Sequence, residues 1–208
     1  MSSCVGLDAE ALTFAQMGEA GEMNQNVTLA MGLIFGASEV LLAIAKRRGK
    51  QDGASDAGSL RLIWIVVTVS LTAAFLVAGA FPEGRFRDVE LMRGVGIAIF
   101  VSGAALRWYA IFYLGPYFTV DVRIAESQRV IDTGPYRFVR HPSYTGVLLE
   151  LLGFALCIGN VWSMLLLVPI VIVFSYRIRV EERALEQGLG EAYASYQRRT
   201  KRLIPFVY

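Results

Sequence analysis

The segment from Gly134 to Gly146 holds the residues best suited to chemistry, including His141, the only histidine in the chain. Arg140 and His141 directly precede Pro142, and proline is favoured in the first turn of a helix because that position needs no backbone donor. The amides of a first turn have no carbonyl partner within the helix, so they can bind an anionic group together with cationic side chains. Tyrosine and arginine also anchor helices at the headgroup level of a bilayer. The segment by itself therefore predicts either an anion site or an interfacial anchor.

A second group of charged side chains, Arg177, Arg179, Glu181 and Arg183, directly follows an apolar block. Arg177 and Glu181 are four residues apart and share one helix face, whereas Arg179 and Arg183 share another. One interpretation is a solvated helix end whose charges pair with one another. The other is a binding site that uses Arg177 and Glu181. The spacing alone is compatible with both.

Five apolar blocks predict the elements that position these residues. Hydrophobic residues make up 55% of the chain and the mean hydropathy is +0.48, whereas a soluble domain has roughly 45–50% apolar residues. A helix needs about 20 apolar residues to cross a hydrocarbon core about 30 Å thick. The chain is therefore predicted to be an all-α integral membrane protein with about five transmembrane helices. Only Gly159 and Asn160 separate the last two blocks, which predicts a helical hairpin. The blocks are residues 27–45, 62–81, 94–113, 145–158 and 161–176.

The distribution of basic residues predicts the orientation, because lysine and arginine favour the cytoplasmic side of a membrane. They are frequent in the first loop, between Gly115 and Pro142, and from Arg177 onward, and absent from the first 26 residues. This predicts an N-terminus outside the plasma or inner membrane and a cytoplasmic C-terminal helical tail. Anionic headgroups account for the basic residues, so no nucleic-acid partner is predicted. Residues 1–26 are predicted to be a loose arm and residues 27–208 a single domain.

Three ionisable residues, Glu39, Arg107 and Glu150, lie inside the apolar blocks. Such residues are costly in a bilayer and usually face the interior of a helix bundle. Under the predicted topology all three lie roughly 8–9 Å below the cytoplasmic surface, at about 1.5 Å per residue. A shared depth allows pairing, so Arg107 is predicted to contact Glu39 or Glu150. The alternative is that Arg107 extends alone to the headgroups.

Together the two charged segments resemble the isoprenylcysteine carboxyl methyltransferase family, which belongs to a wider group with the phospholipid N-methyltransferases. The motif Arg140-His141-Pro142-x-Tyr144-x-Gly146, followed by Glu181-Glu182, carries the resemblance. It covers roughly residues 113–205, and the first three helices match only in being membrane helices. Shorter matches add to it: Gly134-x-Tyr136, Gly190-Glu191-x-Tyr193-x-x-Tyr196, Pro205, and Leu114-Gly115-x-x-Phe118-Thr119, which resembles bacterial and archaeal members.

The resemblance implies an S-adenosyl-L-methionine-dependent methyltransferase that acts on a lipophilic or lipidated acceptor at the cytoplasmic membrane surface, by O-methylation of an isoprenylcysteine-type carboxylate. It implies that Glu181 binds the ammonium group of the cofactor and that His141 and nearby amides bind its carboxylate. Arg177 would be the catalytic residue that holds the acceptor carboxylate, and Arg177 and Glu181 should point into one cavity. No metal is implied, because a carboxylate is already ionised at neutral pH.

The same resemblance implies a cofactor-binding part over about residues 114–208, in which residues 128–131 and Tyr136 form an adenine slot. The implied cofactor-binding residues are Gln128, Arg129, Val130, Ile131, Tyr136, Arg140, His141, Pro142, Ser143, Tyr144 and Glu181.

Two departures from the family pattern leave the acceptor open: Asp121 stands where eukaryotic members have glutamine, and Gln128 replaces a family histidine. One alternative is a phospholipid amine N-methyltransferase with the same cofactor. Another is a sterol-type NADPH reductase, which has a similar Arg-His-x-x-Tyr segment, although the Glu181-Glu182 pair favours the methyltransferase. A non-enzymatic membrane scaffold or transporter is the remaining class, but matched halves with broken helices, which transporters use, are not apparent. The sequence identifies neither the acceptor nor the oligomeric state.

Overall fold

The structure, a computed structural model, describes residues 26–42, 44, 57–118 and 129–205. Within these ranges the regular structure is helical, and the β-type pairings there are two isolated bridges, Arg85 with Asn160 and Val139 with Lys201. The predicted all-α fold is therefore confirmed. The loose arm predicted for residues 1–26 lies outside the described residues, apart from Asn26.

The described regular structure consists of seven α-helices and three short 3₁₀ helices. The chain divides into two compact units, Met1–Val40 and Leu41–Tyr208, so α1 is described by itself and the single domain over residues 27–208 stays a prediction. Short 3₁₀ helices cover Pro82–Gly84, Gly115–Tyr117 and Gly134–Arg137. The α-helices are α1 Asn26–Leu42, α2 Ala57–Ala80, α3 Val89–Leu114, α4 Pro142–Ile158, α5 Val161–Leu165, α6 Leu167–Leu189 and α7 Glu191–Arg199.

Three helical stretches are long and apolar enough to cross a membrane, namely Gly58–Ala80, Val89–Tyr117 and Val161–Leu189. They correspond to the second, third and fifth predicted blocks. The other two apolar helices, α1 and α4, are shorter. The 17 residues of α4 span about 26 Å, slightly less than the hydrocarbon core. The membrane character is thus confirmed, whereas the number of crossings stays a prediction.

The turn between α4 and α5 lies where the hairpin was predicted. Gly159 ends α4 with φ +79°, a left-handed conformation that glycine adopts without a Cβ clash. Asn160 then caps α5, because its side-chain oxygen accepts a hydrogen bond from the Trp162 amide. The Asn160 amide group also donates to the carbonyl of Phe81, so the turn is attached to the end of α2.

The fifth block departs from its prediction at one point. A turn at Leu166 separates α5 from α6, because Pro169 has no N–H to donate to the preceding turn. The helix α6 then continues well beyond Tyr176, the end of the apolar block, and ends only at Gly190. The charged half remains helical because it is rich in Arg, Glu, Ala and Leu, which are good helix formers. Both charged residues predicted to act, Arg177 and Glu181, therefore lie on one rigid helix.

The helices α3 and α4 approach each other closely at two pairs of glycines. A Cβ at Gly103 would lie 2.6 Å from the carbonyl oxygen of Gly146, and a Cβ at Gly153 would lie 2.4 Å from that of Gly96. The order of the pairs is opposite on the two helices, so they run antiparallel. Small residues allow membrane helices to pack at short range. This packing places the start of α4, next to His141, near the C-terminal end of α3.

A buried ion pair lies beside this contact, as predicted. The Nη1 atom of Arg107 is 3.9 Å from Oε1 of Glu150, and the two side chains are only 11% and 3% exposed. A buried charge requires an opposite charge nearby, which explains why both residues are found at this depth. Because Arg107 is buried against α4, the alternative of a side chain that extends alone to the headgroups is wrong. Glu39, the other predicted partner, belongs to the first unit, so a contact between Glu39 and Arg107 stays a prediction.

Gly103→Ala is expected to lower the unfolding temperature of the detergent-solubilised protein. The added Cβ would lie 2.6 Å and 2.7 Å from backbone atoms of α4, and overpacking of this kind costs about 1–3 kcal/mol. Gly94→Ala is the matched control, because it makes the same change on the same helix where a Cβ would meet nothing within 4 Å. Equal thermal stability of the two variants would contradict the close helix contact.

Candidate active site

The loop before α4 is attached to the end of α3. The ring of Tyr113 covers Gly134, where a Cβ would lie 2.4 Å from a ring carbon. The buried Tyr136 hydroxyl donates to the carbonyl oxygen of Ala110 at 3.3 Å. The loop is therefore folded back over α3, and its last residue, His141, lies at the start of α4.

The start of α4 has the form predicted from the sequence. The helix begins at Pro142 with His141 as its N-cap residue. The Thr145 amide donates to the His141 carbonyl at 3.0 Å, which is the first hydrogen bond of the helix. The amides of Ser143 and Tyr144 precede it, and helix geometry offers them no intrahelical carbonyl. These two amides therefore make the start of α4 favourable for an anionic group.

Residues 200–204, which we call the C-terminal strap, lie across the start of α4. The strap carbonyls accept hydrogen bonds from two backbone amides and two side chains of this region, one of them the Arg140 guanidinium, which donates to Thr200 O. The amides just before the helix are thus bonded to the strap, which leaves the first-turn amides as the backbone candidates for an anion. The other hydrogen bonds are Arg140 N–H to Lys201 O at 2.7 Å, His141 N–H to Arg202 O at 3.0 Å and Thr145 Oγ1 to Leu203 O at 2.8 Å.

The carboxylate of Glu182 is buried, with 4% of its side chain exposed, and binds three side chains. Its Oε1 accepts a hydrogen bond from Arg140 Nε at 2.8 Å and lies 3.3 Å from His141 Nε2. Its Oε2 accepts a hydrogen bond from Arg202 Nε at 2.8 Å. A carboxylate removed from water needs partners of this kind. Glu182 therefore joins α6, the start of α4 and the C-terminal strap.

The neighbouring Glu181 has a different environment. Its side chain is 31% exposed, and its Oε1 lies 3.9 Å from His141 Nδ1, beyond hydrogen-bonding distance. Its Oε2 accepts a hydrogen bond from the Tyr144 hydroxyl at 2.8 Å. The described contacts thus place the guanidinium groups of Arg140 and Arg202 on Glu182. Glu181 has the neutral Tyr144 hydroxyl as its donor. Glu181 is the carboxylate of the pair that suits a cationic ligand.

Arg177 lies one turn before Glu181 on α6 and is 2% exposed. Its guanidinium donates to the hydroxyl of Ser59 on α2. The Tyr144 hydroxyl interacts with Arg177 as well as with Glu181. The predicted pair is therefore brought together through Tyr144, with Glu181 on the more open side and Arg177 towards the helix bundle.

Two buried tyrosines tie α7 to the loop before α4. The Tyr196 hydroxyl donates to the carbonyl oxygen of Tyr136 at 2.6 Å, and both rings are buried. Burial raises the pKa of Tyr196, and burial followed by the nearby Glu181 charge raises the pKa of Tyr136. Because both pKa values lie above the ordinary value for tyrosine, both hydroxyls remain hydrogen-bond donors at neutral pH.

Comparison with known proteins assigns the chain to a family. The sequence profile of the isoprenylcysteine carboxyl methyltransferase family matches residues 96–187. The chain is 33% identical over 178 residues to protein-S-isoprenylcysteine O-methyltransferase B of Arabidopsis thaliana, with 84% of this chain and 89% of the relative covered. The chain belongs to the isoprenylcysteine carboxyl methyltransferase family. The family predicted from the sequence is confirmed, and the protein is a methyltransferase.

Two further comparisons agree with this assignment. The chain is 33% identical over 158 residues to protein-S-isoprenylcysteine O-methyltransferase of Schizosaccharomyces pombe, an alignment that covers 69% of this chain and 67% of the relative. Its fold is similar to that of a solved eukaryotic intramembrane Ras methyltransferase, with a TM-score of 0.65 and 22% identity. That likeness covers 86% of this chain and 65% of the solved chain. The membrane helices are therefore those of an isoprenylcysteine carboxyl methyltransferase fold.

The methyltransferase structure places most of the predicted site residues around the start of α4. His141, Pro142, Ser143 and Tyr144 lie there beside Glu181, and Arg177 follows through Tyr144. The Arg140 guanidinium instead binds Glu182 and the carbonyls of Gln197 and Thr200.

The residues predicted to form the adenine slot are less well defined. Gln128 lies outside the described residues. Arg129 is exposed, Val130 and Ile131 are half-buried, and Tyr136 is buried. The individual roles of these residues stay predictions.

Sequence reasoning missed Glu182 and Arg202 as parts of this site. One signal for Glu182 was present, because it belongs to the Glu181-Glu182 pair that carries the family resemblance. No comparable signal marks Arg202, which is one of seven Lys or Arg residues from Arg177 onward. Ser59, the partner of Arg177, comes from a distant helix that the sequence does not connect to α6.

Tyr196→Phe is expected to destabilise the methyltransferase, because it leaves the buried Tyr136 carbonyl without its donor at a cost of about 1–3 kcal/mol. Tyr193→Phe is the matched control on the same helix: its ring is equally buried, but its hydroxyl has no hydrogen-bond partner among the described residues. Thermal unfolding in detergent compares the two variants. A larger loss of stability in Tyr193→Phe would contradict the described hydrogen bonding.

Proposed function

We propose that the protein transfers a methyl group from S-adenosyl-L-methionine to the carboxylate of a lipophilic acceptor of the isoprenylcysteine type. The observation that carries the proposal is the arrangement around Tyr144, whose hydroxyl contacts both a partly exposed carboxylate, Glu181, and a buried guanidinium, Arg177. An anionic and a cationic binding group thus both lie next to one hydroxyl. One suits the cofactor and the other suits the acceptor.

The residues present fit S-adenosylmethionine. Its ammonium group needs an anion, and Glu181 has a partly exposed carboxylate whose described hydrogen bond comes from a neutral hydroxyl. Its carboxylate needs donors, which the first-turn amides of Ser143 and Tyr144 offer at the positive end of the α4 dipole. The buried His141 side chain adds a polar ring beside these groups. We assign the cofactor's amino-acid portion to this end of α4 and its adenine to residues 128–131 and Tyr136.

Arg177 has the properties needed to hold an acceptor carboxylate. A guanidinium offers five donors in a planar fork that matches a carboxylate, and α2 and α6 fix its position through the bond to Ser59. S-adenosylmethionine, when bound, supplies an electrophilic methyl group on its sulfonium. The acceptor carboxylate is already ionised at neutral pH, so the task of the protein is to align the acceptor and exclude water rather than to remove a proton. The burial of Arg177 serves both tasks.

The membrane supplies the acceptor in this proposal. Exposed apolar side chains such as Leu76, Phe112 and Ile172 cover the outside of the helices and suit contact with lipid and with an isoprenoid chain. The basic residues around α6 and α7 suit the anionic cytoplasmic leaflet. We therefore place the active site and the C-terminus on the cytoplasmic side of the inner or plasma membrane, with the N-terminus outside. A phospholipid amine is a poorer acceptor here, because Arg177 would repel a cationic headgroup.

S-adenosylhomocysteine is expected to bind the detergent-solubilised protein with measurable heat, with no metal added, while NADPH gives none. Methyl transfer should then occur to a small S-prenylated cysteine with a free carboxylate, and neither to its methyl ester nor to phosphatidylethanolamine. Binding of NADPH alone would indicate the reductase alternative. Transfer to phosphatidylethanolamine alone would indicate the phospholipid methyltransferase. Failure to bind S-adenosylhomocysteine by protein that shows a cooperative thermal transition would refute the proposal.

Glu181→Gln and Arg177→Lys are expected to separate the two binding roles. Glu181→Gln should weaken S-adenosylhomocysteine binding by about tenfold or more, the value of one charge-assisted contact. Arg177→Lys keeps the charge but loses the fork, so cofactor binding should be nearly unchanged while the KM for the acceptor rises and kcat falls. Calorimetry and steady-state kinetics measure the two effects.

Matched controls exist on the same helix. Glu186→Gln and Arg179→Lys make the same substitutions at exposed positions of α6, and both are expected to behave like the unmodified protein. If Arg177→Lys loses cofactor binding while Glu181→Gln retains it, the role assignment is reversed.

A further inference from the structure

The C-terminal strap is more extensively bonded than a chain end that merely follows the last helix. Its carbonyls accept hydrogen bonds from Arg140, His141 and Thr145, and Lys201 forms a parallel bridge with Val139. All of these contacts fall within the seven residues around the start of α4. The strap is therefore bonded to the part of the chain that carries the proposed cofactor site.

Arg202 extends this contact to the Glu182 carboxylate. Its Nε donates to Oε2 of Glu182, while Arg140 Nε donates to Oε1. The carboxylate is thus held from both sides, by one guanidinium from the strap and one from the loop before α4. The burial of Glu182 strengthens both charge-assisted bonds, because water does not screen them.

Glu182 in turn holds the only histidine of the chain. Its Oε1 lies 3.3 Å from His141 Nε2, and a carboxylate accepts hydrogen bonds, so this ring nitrogen carries a proton. The opposite edge of the ring, Nδ1, faces Glu181 at 3.9 Å. Rotation of the ring would break the bond to a buried carboxylate. The His141 ring is therefore fixed with Nε2 towards Glu182 and Nδ1 towards the proposed site.

We infer that Arg202 and Glu182 are positioning residues of the methyltransferase, through which the docked C-terminal strap sets the orientation of His141 and the geometry of the cofactor site. Neither residue needs to touch the cofactor, because both act through His141 and the start of α4. The inference rests on the proposed function, since it assigns the amino-acid portion of S-adenosylmethionine to this place. It adds that cofactor affinity depends on a segment beyond α7 that lies outside residues 96–187, where the family profile matches.

Arg202→Gln tests the inference in the full-length protein. It is expected to weaken S-adenosylhomocysteine binding by about tenfold, because one charge-assisted bond to Glu182 is lost, and to leave the KM for the acceptor unchanged at saturating cofactor. Arg202→Lys, which keeps a cationic donor, should recover most of the lost affinity. Arg198→Gln is the matched control, because it removes a cation from the same tail whose partner, Glu191, is exposed.

A spectroscopic measurement on the unmodified protein needs no variant. Because His141 is the only histidine in the chain, a ¹⁵N-histidine-labelled, tag-free protein in detergent has a single pair of ring signals. The Nε2 proton should be protected from exchange with water and therefore visible. In Arg202→Gln it should exchange faster and weaken, while in Arg198→Gln it should remain.

The outcomes separate the inference from the proposed function. If the unmodified protein does not bind S-adenosylhomocysteine, the proposed function fails first. If it binds, and Arg202→Gln binds equally well, the positioning role is refuted. It is refuted as well if the Nε2 proton of the unmodified protein exchanges freely. If Arg202→Gln shows no thermal transition, two other measurements test the inference. Arg202→Lys must keep most of the cofactor affinity, and the Nε2 proton of the unmodified protein must be protected. Failure of either refutes the positioning role.

Discussion

A single buried carboxylate, that of Glu182, connects the parts of this protein that form the proposed active site. An anion removed from water is stable only if donors surround it, and here the donors come from three places: the loop before α4, the N-cap of α4 and the C-terminal strap. Arg140 and His141 are neighbours in sequence, whereas Glu182 on α6 and Arg202 in the strap lie about 40 and 60 residues further along the chain. The need to satisfy one carboxylate therefore fixes their relative positions.

The membrane part of the fold provides the base for this cluster. Close approach of α3 and α4 at the glycine pairs, and the buried Arg107–Glu150 pair beside them, set the height of α4 relative to α3. In a bilayer there is little hydrophobic drive for one apolar helix to prefer another, so close packing and polar pairing decide which helices meet. The loop that carries His141 is attached to the end of α3, and its position depends on this packing.

The need of a buried charge for donors distinguishes the adjacent residues Glu181 and Glu182. Glu182 binds two guanidinium groups, whereas Glu181, rotated by about 100° on the same helix, keeps a partly exposed carboxylate beside Tyr144. An active site for a zwitterionic cofactor needs an anion whose charge is not already neutralised by fixed cations. The helix periodicity thus gives two consecutive carboxylates different surroundings, and the proposed cofactor site uses the one that the described guanidinium groups of Arg140 and Arg202 do not bind.

The sequence by itself determined the membrane character, the hairpin turn at Gly159 and Asn160, the start of α4 at Pro142, the pairing of Arg107 within the bundle and the family. These depend on local or periodic properties: apolar length, turn residues, depth along a helix and a compact motif. It did not determine that Arg140 binds Glu182 and the α7 region. Nor did it assign Arg202 and Ser59 to the site. Those features are contacts between segments far apart in the chain, and only the tertiary structure decides which of several equivalent arginines reaches a buried carboxylate.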